Sequence, residues 1–171
     1  MTEQDPFGCA VRPISPGDEP FLWEMLYHAI YVPEGAPPPP RDILSTPELG
    51  RYVRGWGRSG DTGLLAVSAE AAHPIGAVWL RLMPEEEAGY GYVDDETPEL
   101  SIAMLPGYRG RGAGTLLLTR LLRETEGMYK AISLSVSGDN PALRLYERFG
   151  FEVVSDSGMS LIMRRSARRR R

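Results

Sequence analysis

Residues 104–122 read MLPGYRGRGAGTLLLTRLL, and the six residues from Arg109 to Gly114 hold three glycines and two arginines ahead of a run of leucines. Glycine lets a backbone approach another molecule closely, and arginine brings a fixed positive charge. Between Gly112 and Glu126, Gly114, Leu117, Leu118, Leu121, Leu122 and Thr125 share one helical face. Thr119, Arg120, Arg123 and Glu126 occupy the other, with Leu116 on the polar side. The run ELSIAML (99–105) before the loop reads as a strand. PGYRGRG is then a strand-to-helix turn, where unpaired N–H groups and the positive end of the helix dipole favour an anion such as a diphosphate. It is not a Walker A loop, because no Lys-Ser or Lys-Thr follows, and it is not the G-x-G-x-x-G fingerprint, because Thr115 stands at the third glycine.

Outward from this stretch the pattern is that of a mixed α/β domain. Towards the N-terminus, CAVRPI (9–14) reads as a strand and residues 16–32 as a helix that stops near Pro33. A proline tract leads to 41–57, a broken helix interrupted by Pro47 and Gly50. Strands follow at 62–69 and 75–83, joined by a hairpin, and then a carboxylate-rich loop at 84–98. Beyond the leucine helix come a strand at 131–136, a helix at 140–149 closed by Gly150, and strands at 151–154 and 159–165. Helices packed on a sheet are the expected architecture.

A chain of 171 residues suits one domain with a substantial core, expected here over 1–165. No apolar stretch approaches the ~20 residues of a membrane span, and the polar opening MTEQDPFGCA is unlike a secretory signal. The single cysteine, Cys9, forms no internal disulfide, no zinc ligand set is visible, and a reducing cytoplasm is the expected compartment. The last eight residues, RRSARRRR, hold six of the nineteen basic side chains, so residues 1–163 carry 13 basic against 23 acidic groups, a net −10. An acidic body weighs against nucleic acid and favours cationic or amine partners. Residues 166–171 read as a solvated, disordered basic tail.

The spacing Arg109-x-x-Gly112-x-Gly114 resembles the signature with which GCN5-related N-acetyltransferases hold the pyrophosphate of acetyl-CoA on backbone amides. SVSGDNPALRLYERFGFEVV (135–154) is similar to the same family's downstream segment, matching it at Asn140, Tyr146, Gly150 and Phe151; it departs at Leu143, with Ala142 one residue before the usual alanine. The resemblance covers roughly residues 9–165. It implies a mixed, mostly antiparallel sheet of about six to seven strands with splayed central strands and helices on both faces, and transfer of acetyl from acetyl-CoA directly to an amine.

On that footing the diphosphate is expected on the amides of Arg109, Gly110, Arg111, Gly112, Ala113, Gly114 and Thr115, with charge added by the two arginines. Met104 and Leu105 end their strand at Pro106, which stops ladder pairing and frees neighbouring backbone for an amide-rich pantetheine arm. The resemblance makes Glu99 the base that takes the amine proton and Tyr146 the acid that serves the leaving thiolate. Without it, Glu99 is a polar strand start and Tyr146 a core tyrosine on the face of Ala142, Leu145 and Phe149. Asn140, ahead of Pro141, is both a helix cap and a candidate cofactor contact. Cys9 has no activating histidine near it, and neither His28 nor His73 shows metal-ligand spacing.

The acceptor, a small-molecule or peptide amine, should be chosen by 28–45, by the acidic loop and by the turn at 155–158. Glu85, Glu86, Glu87, Asp94, Asp95 and Glu96 would attract a cation, with Tyr90, Tyr92 and Trp79 as apolar walls. A homodimer through the final strands and Leu116 is a further expectation. Two rival readings stand beside the enzyme: a non-catalytic acyl-CoA-binding regulator of the same fold, and an anion-binding protein working through its arginine tail.

Overall fold

The computed structural model describes residues 8–167; the opening segment 1–7 and the arginines at 168–171 lie outside the described residues. Seven strands are ordered β1-β2-β3-β4-β5-β7-β6, namely β1 (Cys9–Pro13), β2 (Thr62–Ser68), β3 (Pro74–Arg81), β4 (Glu99–Met104), β5 (Ala131–Val136), β6 (Glu152–Asp156) and β7 (Leu161–Ser166). The α-helices are α1 (Glu19–Ala29), α2 (Pro47–Gly50), α3 (Ala113–Glu124) and α4 (Ala142–Arg148). The β1–β2, β2–β3, β5–β7 and β6–β7 pairs are antiparallel, whereas β4 joins β5 in parallel at Glu99↔Ser133, so the sheet is mixed. The described residues fall into two compact units, one within Met1–Ile30, Val53–Leu80 and Ser101–Glu124, the other within Tyr31–Tyr52, Arg81–Leu100 and Thr125–Arg171.

In the first unit β1, β2 and β3 form an antiparallel ladder, with a bulge between Ala66 and Val67. Ile75 to Leu80 are buried without alternation, as in a strand covered on both faces. Helix α3 packs against β2 and buries Leu117, Leu118, Leu121 and Leu122, the expected stripe. Each leucine so buried stabilises the fold by roughly 1.5–3 kcal/mol, and cutting one back to alanine costs about 2–5 kcal/mol. The entry to α1 is fixed by Asp18, whose carboxylate takes both the main-chain N–H and the hydroxyl of Ser15, at 2.8 and 3.0 Å, and the fork of Arg12 at 2.8 and 2.9 Å. Those donors hold the Asp18 carboxyl well below the ordinary carboxylate range.

In the second unit β5, β7 and β6 form the ladder, and α4 ends on Gly150, whose φ of +88° is the left-handed conformation suited to glycine. The Gly150 and Phe151 amides bond back to Glu147 and Tyr146, at 3.0 and 3.1 Å. That turn drops Phe151 into the core, edge-on to Tyr146 at 6.1 Å. The Gly-Phe pair read as a motif therefore closes a helix and seats an aromatic ring.

Several expected boundaries move. The helix expected at 16–32 is a 3-10 turn (Pro16–Asp18) followed by α1, which stops at Ala29. The segment 41–57 is a 3-10 turn (Arg41–Ser45), the four-residue α2 and turns, because Pro47 can open a helix but not continue one. The last two strands begin one to two residues later than their hydrophobic pattern suggests. The basic tail does not start at 166: Ser166 pairs with Ala131, and the Ala167 N–H donates to the Lys130 carbonyl at 2.8 Å. Ladder hydrogen bonds, indifferent to side-chain polarity, carry the strand past the point where apolar residues stop.

Candidate active site

The glycine loop lies in the first unit. After β4 a 3-10 turn (Pro106–Tyr108) leads to α3, and Gly110 and Gly112 take φ of +74° and +87°, which L side chains adopt only with strain. The helical ladder opens with Leu116 N–H on the Gly112 carbonyl at 3.0 Å, so the amides of Ala113, Gly114 and Thr115 have no intrahelical acceptor. A Cβ at Gly114 would meet nothing nearer than Ile102 Cδ1 at 3.9 Å, so no packing inside the protein demands glycine there. Free amides and open approach fit the diphosphate of an acyl-CoA.

Both arginines of the loop also have partners within the protein. Arg109 donates to the His28 carbonyl at 3.2 Å, tying the loop to the end of α1. Arg111 lies over the Tyr108 ring at 5.5 Å. The free backbone expected at Leu105 is also corrected: its N–H donates to Ile75 at 2.8 Å and its carbonyl accepts from Tyr108 at 2.9 Å. Strand alternation then turns the polar groups of Met104 away from β3. Its side chain lies against Gly76, where any Cβ would strike the sulfur.

Glu99, in the second unit, is only 4% exposed. Its Oε1 accepts the phenolic O–H of Tyr52 at 2.7 Å and the Gly91 N–H at 2.5 Å, while Oε2 is buried with no partner among the described residues. Burial pushes its pKa up to about 7, against the opposing pull of the two donors. A carboxyl titrating there is suited to taking a proton near neutrality. Gly89 and Gly91 are small because a Cβ on either would strike the Glu99 carboxylate. The sequence reading missed Tyr52, Gly89 and Gly91; the one signal was a pair of glycines in a loop otherwise rich in carboxylates.

Tyr146 is 9% exposed, and burial pushes its phenol up to about 12. Its hydroxyl makes no hydrogen bond among the described residues, yet it is not among the buried orphan atoms, so that oxygen reaches accessible space. No hydrogen bond joins Tyr146 to Glu99. Asn140 caps α4: its Oδ1 takes the Ala142 N–H at 2.9 Å.

On the acceptor side Trp79 is fully buried and lines no surface, which corrects its expected role as a wall. Part of the acidic loop is spent on itself: Asp95 takes the Tyr92 hydroxyl at 2.6 Å and the Glu85 N–H at 3.0 Å, and Asp94 takes the Glu96 N–H at 2.9 Å. Tyr90 is 57% exposed. Among the described residues no helix is long and apolar enough to cross a membrane.

The family model described as Acetyltransferase (GNAT) family matches residues 23–151. Over 119 residues the chain is 33% identical to a mycothiol acetyltransferase of Corynebacterium aurimucosum, a match covering 64% of this chain and 37% of that protein. Over 116 residues it is 29% identical to an L-2,4-diaminobutyric acid acetyltransferase of Nocardia farcinica, covering 58% of each. The chain thus spans under two thirds of either curated relative. In fold it is similar to a phosphinothricin acetyltransferase of Sinorhizobium meliloti solved in complex with AcCoA, with a TM-score of 0.64, 18% identity and coverage of 94% of this chain and 89% of that one. The glycine-shaped loop before α3, the Gly-Phe turn after α4 and the match over 23–151 all agree: the chain belongs to the GNAT acetyltransferase family.

Proposed function

We propose that this protein is an acetyl-CoA-dependent N-acetyltransferase that passes acetyl directly to a primary amine of a small molecule or peptide. The carrying observation is the loop before α3, where two left-handed glycines and the unpaired amides of Ala113, Gly114 and Thr115 make a seat for a diphosphate. The coenzyme supplies an activated acetyl thioester. Residues Gly110 to Thr115 bind its diphosphate, and Met104 meets its amide-rich arm through the main chain. Arg109 shapes the loop through His28 and leaves the anion to the amides.

An alkylammonium of pKa ~10.4 must lose a proton before its nitrogen can attack. Glu99 takes that proton on a carboxylate whose affinity burial has raised. Tyr146 stays protonated over the working range and gives its proton to sulfur as the C–S bond breaks and the C–N bond forms. Cys9 lines a cavity with Tyr108, Arg111 and Ala113, but direct transfer to the amine needs no enzyme nucleophile, and this reading gives the thiol no covalent role. The names of the two curated relatives, which carry mycothiol and L-2,4-diaminobutyric acid, support a small acceptor. Exposed Val153, Val154 and Met159 on and beside the last strands support self-association there.

Release of free coenzyme A, measured over a panel of polyamines, diamino acids, amino sugars and peptide N-termini, tests the reading. Amine-dependent release that falls in Glu99→Gln is expected. Tight acetyl-CoA binding with no release for any amine would instead favour the regulator.

A further inference from the structure

The Glu99 carboxylate is held unevenly. Oε1 carries two donors, Tyr52 O–H and Gly91 N–H, while Oε2 carries none and is sealed from solvent by the fold. Ser133, paired in register with Glu99 on the adjacent strand and therefore on the same face, has the other orphaned buried oxygen. The Tyr52 hydroxyl is itself fixed, because its oxygen accepts the Tyr90 N–H at 2.7 Å. Its segment is tied to the loop and to β3 by Arg51 on the Ala88 carbonyl at 2.7 Å and Arg81 on the Arg51 carbonyl at 3.0 Å. Pointing a phenol from a segment 47 residues away at one oxygen of a buried carboxylate, and bracing it from both sides, is more than a fold needs for that carboxylate alone.

We propose that Tyr52 is the positioning residue that commits Oε1 of Glu99 to the protein and leaves Oε2, which has no partner among the described residues, as the oxygen that takes the proton. The inference rests on the reading of Glu99 as the base. The transfer balances simply: the N–H bond of the ammonium breaks with its electron pair left on nitrogen, a water that enters with the acceptor takes that proton as it gives up one of its own, and an Oε2 lone pair forms the new O–H bond. Facing the carboxyl from the α2 side is Tyr52; the loop contributes Tyr90 only through its N–H on Tyr52; β5 contributes Ser133 and main chain; no basic side chain among the described residues acts on it.

The test needs no acceptor. With glutamate side chains labelled by 13C at the carboxyl carbon, an NMR titration of the full chain should show one resonance with a midpoint near 7 that disappears in Glu99→Gln. Tyr52→Phe removes a donor that favours the charged form, so the midpoint should rise by roughly one pH. Site-specific 3,5-difluorotyrosine at position 52, a stronger donor of nearly the same shape, should lower it. A midpoint unmoved in both variants overturns the positioning role while Glu99 as base stands. Loss of no resonance in Glu99→Gln removes both. If Tyr52→Phe does not fold, the fluorinated chain decides, and an unmoved midpoint there is a refutation.

Discussion

Tyr52 and Glu99 are joined by a 2.7 Å hydrogen bond from phenol to carboxylate inside a pocket closed by Gly89 and Gly91. Glutamine at 99 keeps an oxygen for both donors but cannot take a proton. Glu99→Gln should therefore lower kcat/KM by roughly 10²–10⁴, with little change in acetyl-CoA affinity. In the parent protein kcat/KM should fall below about pH 7 as the carboxyl protonates. A pH–rate profile with no acid limb there contradicts the assignment.

The same carboxyl makes folding depend on pH. Its pKa is about 7 in the fold against an ordinary 4.5, so the protonated form is the one that folding favours. That contribution is complete below about 4.5 and is lost as pH rises through about 7, a change on the order of 3 kcal/mol. Glu99→Gln carries no charge at any pH. Urea denaturation should show the variant gaining on the parent as pH rises across this window, then a constant difference above it; a flat difference throughout would show that the carboxyl is not perturbed.

Tyr146→Phe removes a hydroxyl with no partner among the described residues, so its effect on stability should stay below about 1 kcal/mol. If the phenol serves the departing thiolate, kcat should drop by roughly 10² while acetyl-CoA binding is retained. A variant as active as the parent assigns Tyr146 to packing against Phe151 alone.

Within the glycine loop, main chain and side chain are separable. Gly112→Ala forces a Cβ onto a residue at φ +87°, costing about 1–2 kcal/mol and disturbing the first free amides of α3. Its Kd for acetyl-CoA by calorimetry should rise about tenfold or more. Arg109→Ala should change Kd by less than about threefold, since that guanidinium is engaged with His28. The opposite ranking would return the diphosphate to the arginine.

What could be read in the sequence followed the range of the forces involved. The α3 stripe and the glycine loop are local: helical period and chirality write Leu117, Leu118, Gly110 and Gly112 into adjacent residues. The Gly-Phe turn is local too. Tyr52 was hidden because it meets Glu99 across 47 positions and follows a four-residue helix that runs only from Pro47 to Gly50, too short to offer a period. Gly89 and Gly91 looked like loop punctuation, yet what excludes a side chain there is a carboxylate eight to ten residues on. The bond from Arg109 to the His28 carbonyl was hidden for a related reason, since it spans 81 positions.

The most direct test is a crystal structure of the protein with acetyl-CoA. Here the two phosphates should lie against the main-chain nitrogens between Gly110 and Thr115, with the guanidinium of Arg109 still on the His28 carbonyl. A coenzyme bound elsewhere, or no binding at millimolar ligand, would contradict the assignment of this loop and with it the proposed acetyl transfer.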